Sequence, residues 1–241
     1  MRRFYAPPDQ FEGQAVRLAI EETRHLRDVL RMKPGEMAQI FDGAGREFLA
    51  EVDSIGKSET LLRIVKEIDA PAPESDLDIT IAAGVYKNDK FDLVIQKAVE
   101  LGVARVAPIV TLRSETKLQA ASNRTERWRK IALEATKQCE RALVMAVSEP
   151  VTFDKFIAGV NADSGLLLMF SEKDGKGLPK ALGEKKITAL VGPKGGWEDS
   201  EIEIAEERGF MPIKLGRRIM RAETAAITFA ALLQHRFGDL N

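Results

Sequence analysis

The sequence predicts an α/β domain built on a parallel sheet, preceded by a smaller β-rich domain. After residue 77, apolar strands alternate with amphipathic helices, which is the pattern of a parallel sheet with helical crossovers. Near the end of the chain, the β-branched run at residues 187–191 leads directly into a glycine-rich run at residues 192–196. Residues 1–70 instead show short strands and a hairpin, and a chain of 241 residues has room for both domains.

The β-rich segment contains one helix among its strands. Strands are predicted at residues 16–20 and 60–68, and a hairpin is predicted to turn at Asp42-Gly43, a dipeptide that suits a tight turn between strands. A helix is predicted at residues 22–32, because apolar residues recur there at helical spacing. The apolar residues expected on its buried face are Leu26, Val29 and Leu30.

A linker rich in alanine and proline, residues 71–76, separates the two predicted domains, residues 1–70 and 77–241. Beyond the linker, the apolar runs are short and bounded by polar residues, whereas the amphipathic runs are longer, so that strands and helices can be told apart by length. The expected strands are residues 77–85, 103–110 and 165–170, and the expected helices are residues 89–101 and 124–141.

The C-terminal segment contains two loops that each join a strand to a helix. The first loop, residues 192–196, has three glycines, which let the backbone adopt positive φ and let a ligand approach it closely. The second loop, residues 216–221, follows a predicted strand at 211–215 and precedes an apolar helix at 224–237 that we expect to be buried. Because such loops meet at one edge of a parallel sheet, they predict a ligand crevice. Cations are concentrated around the second loop, at Lys214, Arg217, Arg218 and Arg221.

Composition and charge exclude several classes of protein. The formal net charge of −1 carries no overall signature of nucleic-acid binding, so that any RNA contact requires locally grouped cations. The single cysteine, Cys139, excludes an intrachain disulfide, and His25 and His235 are too far apart for a zinc motif, so we expect no metal site. The chain has no apolar run of membrane-spanning length and no apolar leader, so we expect a cytoplasmic protein without membrane contact.

The two C-terminal loops carry the motifs GPKGGW and LGRRIMRAETAA, which resemble the signature of the RsmE-type ribosomal RNA uridine-N3 methyltransferases of the SPOUT superfamily. Further similarity lies in HLRDVLRMKPGE, FDGAGREF, KNDKFDLVIQKAVELGV, TLRS and RWRKIALEATKQCER, so the resemblance covers nearly the whole chain. It implies a SPOUT-type parallel sheet with a C-terminal trefoil knot, and S-adenosylmethionine bound by the knot loops. It also implies that the N-terminal segment is a PUA-like β-barrel that binds RNA.

The resemblance further implies an activity and the residues that support it. The expected enzyme is an S-adenosylmethionine-dependent methyltransferase that methylates N3 of a specific uridine in small-subunit (16S) ribosomal RNA. Its expected substrate is the ribosomal RNA itself or the assembled small ribosomal subunit, and members of the superfamily are usually homodimers. The cofactor-binding positions that the resemblance implies are Phe170, Gly192, Gly195, Gly196, Leu215, Gly216, Ile219 and Met220.

The chemistry of N3 methylation indicates which side chains to expect near the substrate. The N3 proton must be removed, because a neutral imide nitrogen has no free lone pair. The enzyme must then align the reacting atoms and stabilise an anionic uracil, for which a guanidinium is suited. Arg221 is the first candidate for that role and Arg218 the next. Glu223 can act as a base, or it can cap the final helix and pair with an arginine.

Several arginines are candidate contacts to RNA phosphates. Phosphate contacts position an RNA without reading its sequence, and they require only accessible cations. For any single arginine, a solvated charged surface is the alternative interpretation. The candidates are Arg2, Arg3, Arg24, Arg27, Arg31 and Arg113.

Two positions depart from the family pattern and leave other functions open. Lys194 stands where the family usually has glutamate, and Arg217 stands where it usually has proline. These departures suit a non-catalytic RNA-binding protein on a knotted scaffold, whereas the intact glycines and the intact R-x-E-T-A motif favour an enzyme. A SPOUT methyltransferase that acts on another RNA, such as a transfer RNA, is the third interpretation.

Overall fold

The chain folds into two units in a computed structural model that describes residues 2–87, 89–183 and 185–240. The boundary falls between Glu74 and Ser75, and residues 136–144 return to the first unit. The sequence analysis placed this returning segment in the second domain. Its Arg141 is 5% exposed and donates a hydrogen bond of 2.6 Å to Glu74, which holds the segment in the first unit.

The described part of the first unit contains six strands and one short α-helix. They are β1 (Arg3–Tyr5), β2 (Phe11–Glu12), β3 (Ala15–Leu18), α1 (Ile20–Arg24), β4 (Met37–Phe41), β5 (Glu47–Ile55) and β6 (Thr60–Ile68). The strands form one sheet in the order β1-β4-β5-β6-β3-β2, in which only the β1–β4 pair is parallel among the described pairs. Alternate residues point inward, and Phe4, Leu18 and Ile40 are fully buried in the core.

The hairpin predicted at Asp42-Gly43 is confirmed, with β4 and β5 antiparallel to each other. Its loop spans residues 42–46 and is therefore longer than a two-residue turn. The buried carboxylate of Asp42 organises the loop, because it accepts hydrogen bonds from the backbone N–H groups of Ala44 (2.7 Å) and Arg46 (3.0 Å). Gly43 and Gly45 adopt positive φ within it.

The buried face expected for the first helix is wrong at one residue. Leu26 is fully buried as expected, but Val29 is 67% exposed. The cause is a π-helical turn, His25–Val29, which continues α1 and in which the N–H of Leu30 bonds to the carbonyl of His25. Each such turn contains one residue more than an α-helical turn, so that it rotates the following side chains away from the core. The helical conformation ends at Val29 instead of residue 32, before Arg31 adopts a φ of 52°.

Among its described residues, the second unit contains seven strands and six α-helices. They are β7 (Asp78–Gly84), α2 (Lys90–Glu100), β8 (Arg105–Val110), α3 (Leu118–Ser122), α4 (Thr125–Gln138, whose last turn belongs to the returning segment), β9 (Ala146–Val147), β10 (Val151–Thr152), α5 (Phe153–Ala158), β11 (Leu166–Phe170), β12 (Lys186–Val191), α6 (Asp199–Glu207), β13 (Met211–Ile213) and α7 (Ala222–Phe237). All strand pairs between described residues of this second unit are parallel. The predicted α/β class with a parallel sheet is confirmed.

The order of the strands brings three loops to one edge of the sheet. The order is β10-β8-β7-β12-β11-β13, with β9 beside β8. Because these strands are parallel, the loops that follow β12, β11 and β13 all leave from the same edge. α7 packs against α2, β7 and β12, and its apolar side is buried as expected, with Phe229 and Leu233 fully inaccessible. None of the helices in the described part of the chain is long and apolar enough to cross a membrane.

A buried ion pair in the first unit generates a prediction about stability. Arg3 donates two hydrogen bonds of 2.9 Å to the carboxylate of Glu47, and the two side chains are 9% and 0% exposed. Glu47→Ala would leave the guanidinium buried without its partner, so we expect the free energy of unfolding in urea to fall by about 3 kcal/mol.

The matched control is Glu51→Ala, which breaks the exposed pair between Glu51 and Arg63, whose side chains are 36% and 57% exposed. We expect this variant to lose less than about 1 kcal/mol, because water screens exposed pairs. Equal losses of stability in the two variants would contradict the assignment of Arg3 to a structural pair.

Candidate functional site

A cleft of about 500 Å³, including its open mouth, lies at the carboxyl ends of β11 and β12. Three segments contribute to its wall: the glycine loop after β12, the loop after β11, and the start of α7 with the residues before it. The lining residues are Phe170, Ser171, Glu172, Lys173, Val191, Gly192, Pro193, Lys194, Gly196, Trp197, Ile202, Met220, Ala222 and Ala225.

The glycine loop, residues 192–196, turns tightly over the end of the sheet. Gly196 has a φ of +71°, and its N–H donates to the carbonyl of Pro193 at 2.9 Å. The neighbouring strand ends at Gly84, where an added Cβ would lie 2.5 Å from the backbone nitrogen of Pro193. The loop can therefore approach β7 this closely only because position 84 has no side chain.

Trp197 fixes the far end of the glycine loop. Its side chain is nearly buried, and its indole N–H donates to the carbonyl of Phe170 at 3.0 Å. The indole ring also packs against Phe153 with a centroid separation of 5.7 Å. The last residue of β11 and the glycine loop are consequently held against each other.

The loop after β11, residues 171–176, forms the second wall of the cleft. The N–H groups of Ser171 and Lys176 donate to the carbonyls of Ile213 and Pro212, so β13 supports this loop on one side. The Lys214 ammonium adds a hydrogen bond of 2.5 Å to the carbonyl of Lys173. Phe170 is the only residue of this wall that was predicted from the sequence. The polar residues that follow the fully apolar strand β11 could have indicated the rest of the wall.

The second loop, residues 216–221, contributes to the cleft through Met220. Of the other cofactor positions that the resemblance implies, Leu215, Gly216 and Ile219 do not line this cleft, and Ile219 is 81% exposed. Gly195 also lies outside its lining, whereas Phe170, Gly192 and Gly196 belong to it.

The cations of the second loop are accessible. Arg217, Arg218 and Arg221 are all exposed, and no ion pair with another described residue is recorded for them. Arg221 occupies the N-cap position of α7, directly before Ala222 in the wall of the cleft. The structure thus places the first catalytic candidate at the edge of the cleft.

Glu223 lies in the first turn of α7 and pairs with a lysine of α2. Lys90 Nζ donates to the Glu223 carboxylate at 2.7 Å, and the Glu223 side chain is 15% exposed. Burial raises the pKa of Glu223, but the hydrogen bonds from Lys90 and from its own backbone N–H, with the charges of Lys90 and Arg221, outweigh burial and lower the pKa overall. An ionised, paired carboxylate with a lowered pKa favours the capping and pairing role over the base. Lys90 was not predicted from the sequence as a partner of Glu223.

The candidate RNA contacts fall into two groups. Arg24 and Arg31 are exposed, and Arg2 is about half exposed and pairs with Glu36. The others have structural partners within their own units. Arg3 is nearly buried against Glu47, Arg27 bonds to Asp28 and to the carbonyls of Gly56 and Lys57, and Arg113 bonds to Glu198 and to the carbonyl of Gly195.

The described residues hold no group of three or more histidine, cysteine, aspartate or glutamate side chains that could bind a metal ion. Cys139 is partly exposed, and its thiol lies 3.8 Å from the carbonyl of Thr136. The polar groups in the lining of the cleft include backbone groups of the glycine loop, the hydroxyl of Ser171 and the charged side chains of Glu172, Lys173 and Lys194.

Two family models match the chain over these two units. The model of an RNA methyltransferase domain matches residues 73–234, and the model of an RNA methyltransferase PUA domain matches residues 19–65. The first match spans the strands and loops that form the cleft. The second lies within the six-stranded sheet of the first unit.

Individual proteins are similar along nearly the whole chain. The ribosomal RNA small subunit methyltransferase E of Rickettsia conorii is 31% identical over 236 residues, which are 95% of this chain and 93% of the relative. The protein of the same name from Synechocystis is 32% identical over 92% of this chain and 74% of the relative. The crystal structure of a ribosomal RNA small subunit methyltransferase E from Neisseria gonorrhoeae bound to S-adenosyl methionine superposes with a TM-score of 0.89, at 33% identity over 100% of both chains.

The contact between Gly84 and Pro193 predicts how the cleft responds to a single added methyl group. Gly84→Ala would place its Cβ inside the contact distance of the Pro193 backbone and would displace the glycine loop. We expect the affinity for the expected cofactor, S-adenosylmethionine, to fall at least about tenfold, or 1.4 kcal/mol, in calorimetric titration.

Gly177→Ala is the matched control, because nothing lies within 4 Å of a Cβ added there. We expect its affinity to equal that of the unsubstituted protein within about twofold. A folded Gly84→Ala variant with unchanged affinity would show that the glycine loop does not carry the cofactor.

Proposed function

Because the chain belongs to the ribosomal RNA small subunit methyltransferase E family, we propose that it transfers a methyl group from S-adenosylmethionine to N3 of a uridine in small-subunit (16S) ribosomal RNA. The observation that carries this proposal is the cleft between the glycine loop and the start of α7. The similar structure from Neisseria gonorrhoeae is bound to S-adenosyl methionine. The proposed substrate is the ribosomal RNA itself or the assembled small subunit.

The residues present in the cleft suit S-adenosylmethionine. Gly196 leaves backbone partly accessible at the wall, Gly192 adds no side chain to it, and Phe170 and Met220 line it with apolar atoms that suit an adenine ring. Lys173 and Lys194 are cations that can pair with the cofactor's carboxylate. When bound, the cofactor supplies a methyl group activated by a positively charged sulfur. We retain Gly195, Leu215, Gly216 and Ile219 as cofactor positions on the basis of the family resemblance.

The chain's own residues position the uridine and stabilise its charge. The N3 proton passes to solvent water before transfer; the methyl carbon would then bond to N3 as its bond to the cofactor's sulfur breaks, which would leave that sulfur as a neutral thioether. Before transfer, the negative charge of the deprotonated uracil requires donors close by. Arg221 at the N-cap of α7 is the residue that we assign to this role, with Arg218 as the second candidate. We assign Glu223 to holding the start of α7 through Lys90, which fixes the backbone that carries Arg221.

Three further expectations from the family belong to this proposal. The insertion of β12 between β7 and β11, with α7 packed back on α2 and β7, supports a C-terminal trefoil knot; mechanical extension to the full contour length would contradict it. A homodimer follows from the superfamily, and a monomer in sedimentation at assay concentration would contradict it. Action in the cytoplasm follows from the ribosomal substrate, and exclusion from the ribosome-containing cell fraction would contradict it.

Arg2, Arg24 and Arg31 remain the proposed RNA contacts of the first unit.

The two departures from the family pattern do not close the cleft. Lys194 is exposed over 73% of its side chain, and its Nζ lies 3.7 Å from a carboxylate oxygen of Glu115. Arg217 is also exposed. Since neither side chain fills the cleft, we favour the enzyme over a non-catalytic RNA-binding protein.

The experiment that tests the proposal measures incorporation of labelled methyl groups from S-adenosylmethionine into small ribosomal subunits by the unsubstituted protein and by Arg221→Ala. We expect kcat to fall at least about 100-fold in the variant, because a charge-stabilising donor is lost. Cofactor affinity should change less than about tenfold, since Arg221 is not in the lining of the cleft.

Arg208→Ala is the control, an exposed arginine at the C-cap of α6 away from the lining residues, and it should retain full activity. Unchanged kcat in Arg221→Ala would remove Arg221 from the reaction. If the unsubstituted protein binds the cofactor but methylates neither ribosomal subunits nor ribosomal RNA, the proposed ribosomal substrate is wrong. Transfer to another RNA would then favour the third interpretation, and transfer to no RNA would favour the non-catalytic RNA-binding protein.

A further inference from the structure

Arg113, in the loop after β8 (residues 111–117), connects that loop to the glycine loop. Arg113 donates from Nε and Nη2 to the two carboxylate oxygens of Glu198, at 2.7 and 3.0 Å. Its Nη1 donates to the carbonyl of Gly195 at 3.1 Å. The guanidinium therefore hydrogen-bonds to the glycine loop, through Gly195, and to Glu198, the N-cap residue of α6.

A buried carboxylate joins the loop after β8 to the start of α6, the helix that follows the glycine loop. Glu201 is 2% exposed, and one of its oxygens accepts the N–H of Leu112 at 2.9 Å. Its other oxygen accepts the N–H of Glu198 at 3.0 Å, which closes the capping box of α6. If the loop after β8 separated from α6, the N–H of Leu112 would lose its partner and the buried oxygen of Glu201 its donor, whereas the bond to Glu198 lies within α6 itself.

The fit between the two loops is close, and the charges around it are complementary. A Cβ added at Gly195 would lie 3.0 Å from the Cβ of Arg113. The Arg113 hydrogen bond lowers the pKa of the Glu198 carboxyl, which keeps this pair ionised at neutral pH. A second pair of opposite charges lies beside it: a carboxylate oxygen of Glu115, in the loop after β8, is 3.7 Å from the ammonium of Lys194 in the glycine loop.

We propose that Arg113, Glu198 and Glu201 are positioning residues that hold the glycine loop in its cofactor-binding conformation, and that Arg113 does not contact RNA. This inference rests on the proposed function. It replaces the interpretation of Arg113 as a phosphate contact, since three of its donor atoms and its charge are directed at Glu198 and Gly195. The bidentate geometry matters here, because a lysine cannot reproduce it.

The two roles predict different responses to the same substitutions. If Arg113 positions the glycine loop, Arg113→Ala, Arg113→Lys and Glu198→Gln each weaken S-adenosylmethionine binding about tenfold in calorimetry without RNA. The double variant Arg113→Ala/Glu198→Gln should then be no weaker than Arg113→Ala, because both substitutions remove one interaction. In all of these variants, a plot of the logarithm of KM for RNA against the logarithm of salt concentration should have the same slope as for the unsubstituted protein.

If Arg113 instead contacts a phosphate, Arg113→Ala lowers that slope by about 1, Arg113→Lys restores it, and cofactor affinity stays unchanged. That pattern would overturn the inference. Arg208→Ala, an exposed arginine outside both loops, is the control in which neither quantity should change. Failure of the unsubstituted protein to bind the cofactor would contradict the proposed function itself, whereas normal binding by every variant would contradict only the positioning role.

Discussion

The close contact between the end of β7 and the glycine loop is the constraint on which the cleft depends. Gly84 is the last residue of β7, and β12 runs beside it, so that any side chain at position 84 would overlap the backbone of Pro193. With no side chain there, residues 192–196 turn over the sheet and present backbone to a ligand. The same turn places the indole N–H of Trp197 where it donates a hydrogen bond to the carbonyl of Phe170, and this bond joins the glycine loop to β11.

Around this contact, each wall of the cleft is held by a partner distant in sequence. β13 supports the loop after β11, Arg113 and Glu201 hold the glycine loop and the start of α6, and Lys90 holds the start of α7. A site whose loops are fixed in this way needs little reorganisation when a ligand binds, and a preorganised site loses less affinity to ordering. The exposed arginines at the edge are the groups left available for a large anionic substrate.

Local chemistry in the sequence was sufficient to predict the longer strands, the helices α2, α4 and α7 and the glycine loop, because apolar period and glycine position are local properties. The short elements β1, β2, β9, β10, α3 and α5 were not predicted. It was insufficient for the face of the first helix, since the π-helical turn at His25–Val29 has no simple sequence signal and leaves Val29 exposed. It also missed the loop after β11, because the place of β11 between β12 and β13 is a property of the strand order. Pairs such as Lys90 with Glu223 join residues 133 positions apart and emerge only from the fold.

The most direct test of the proposed reaction is to identify the methylated nucleoside. Small ribosomal subunits and free 16S ribosomal RNA would be incubated with the protein and S-adenosylmethionine, digested to nucleosides, and separated by liquid chromatography with mass detection. The proposed reaction predicts 3-methyluridine, with at most one methyl group added per RNA molecule. A product methylated on the ribose or on another base would contradict the assignment to uridine N3, and the absence of any product would contradict the proposed activity.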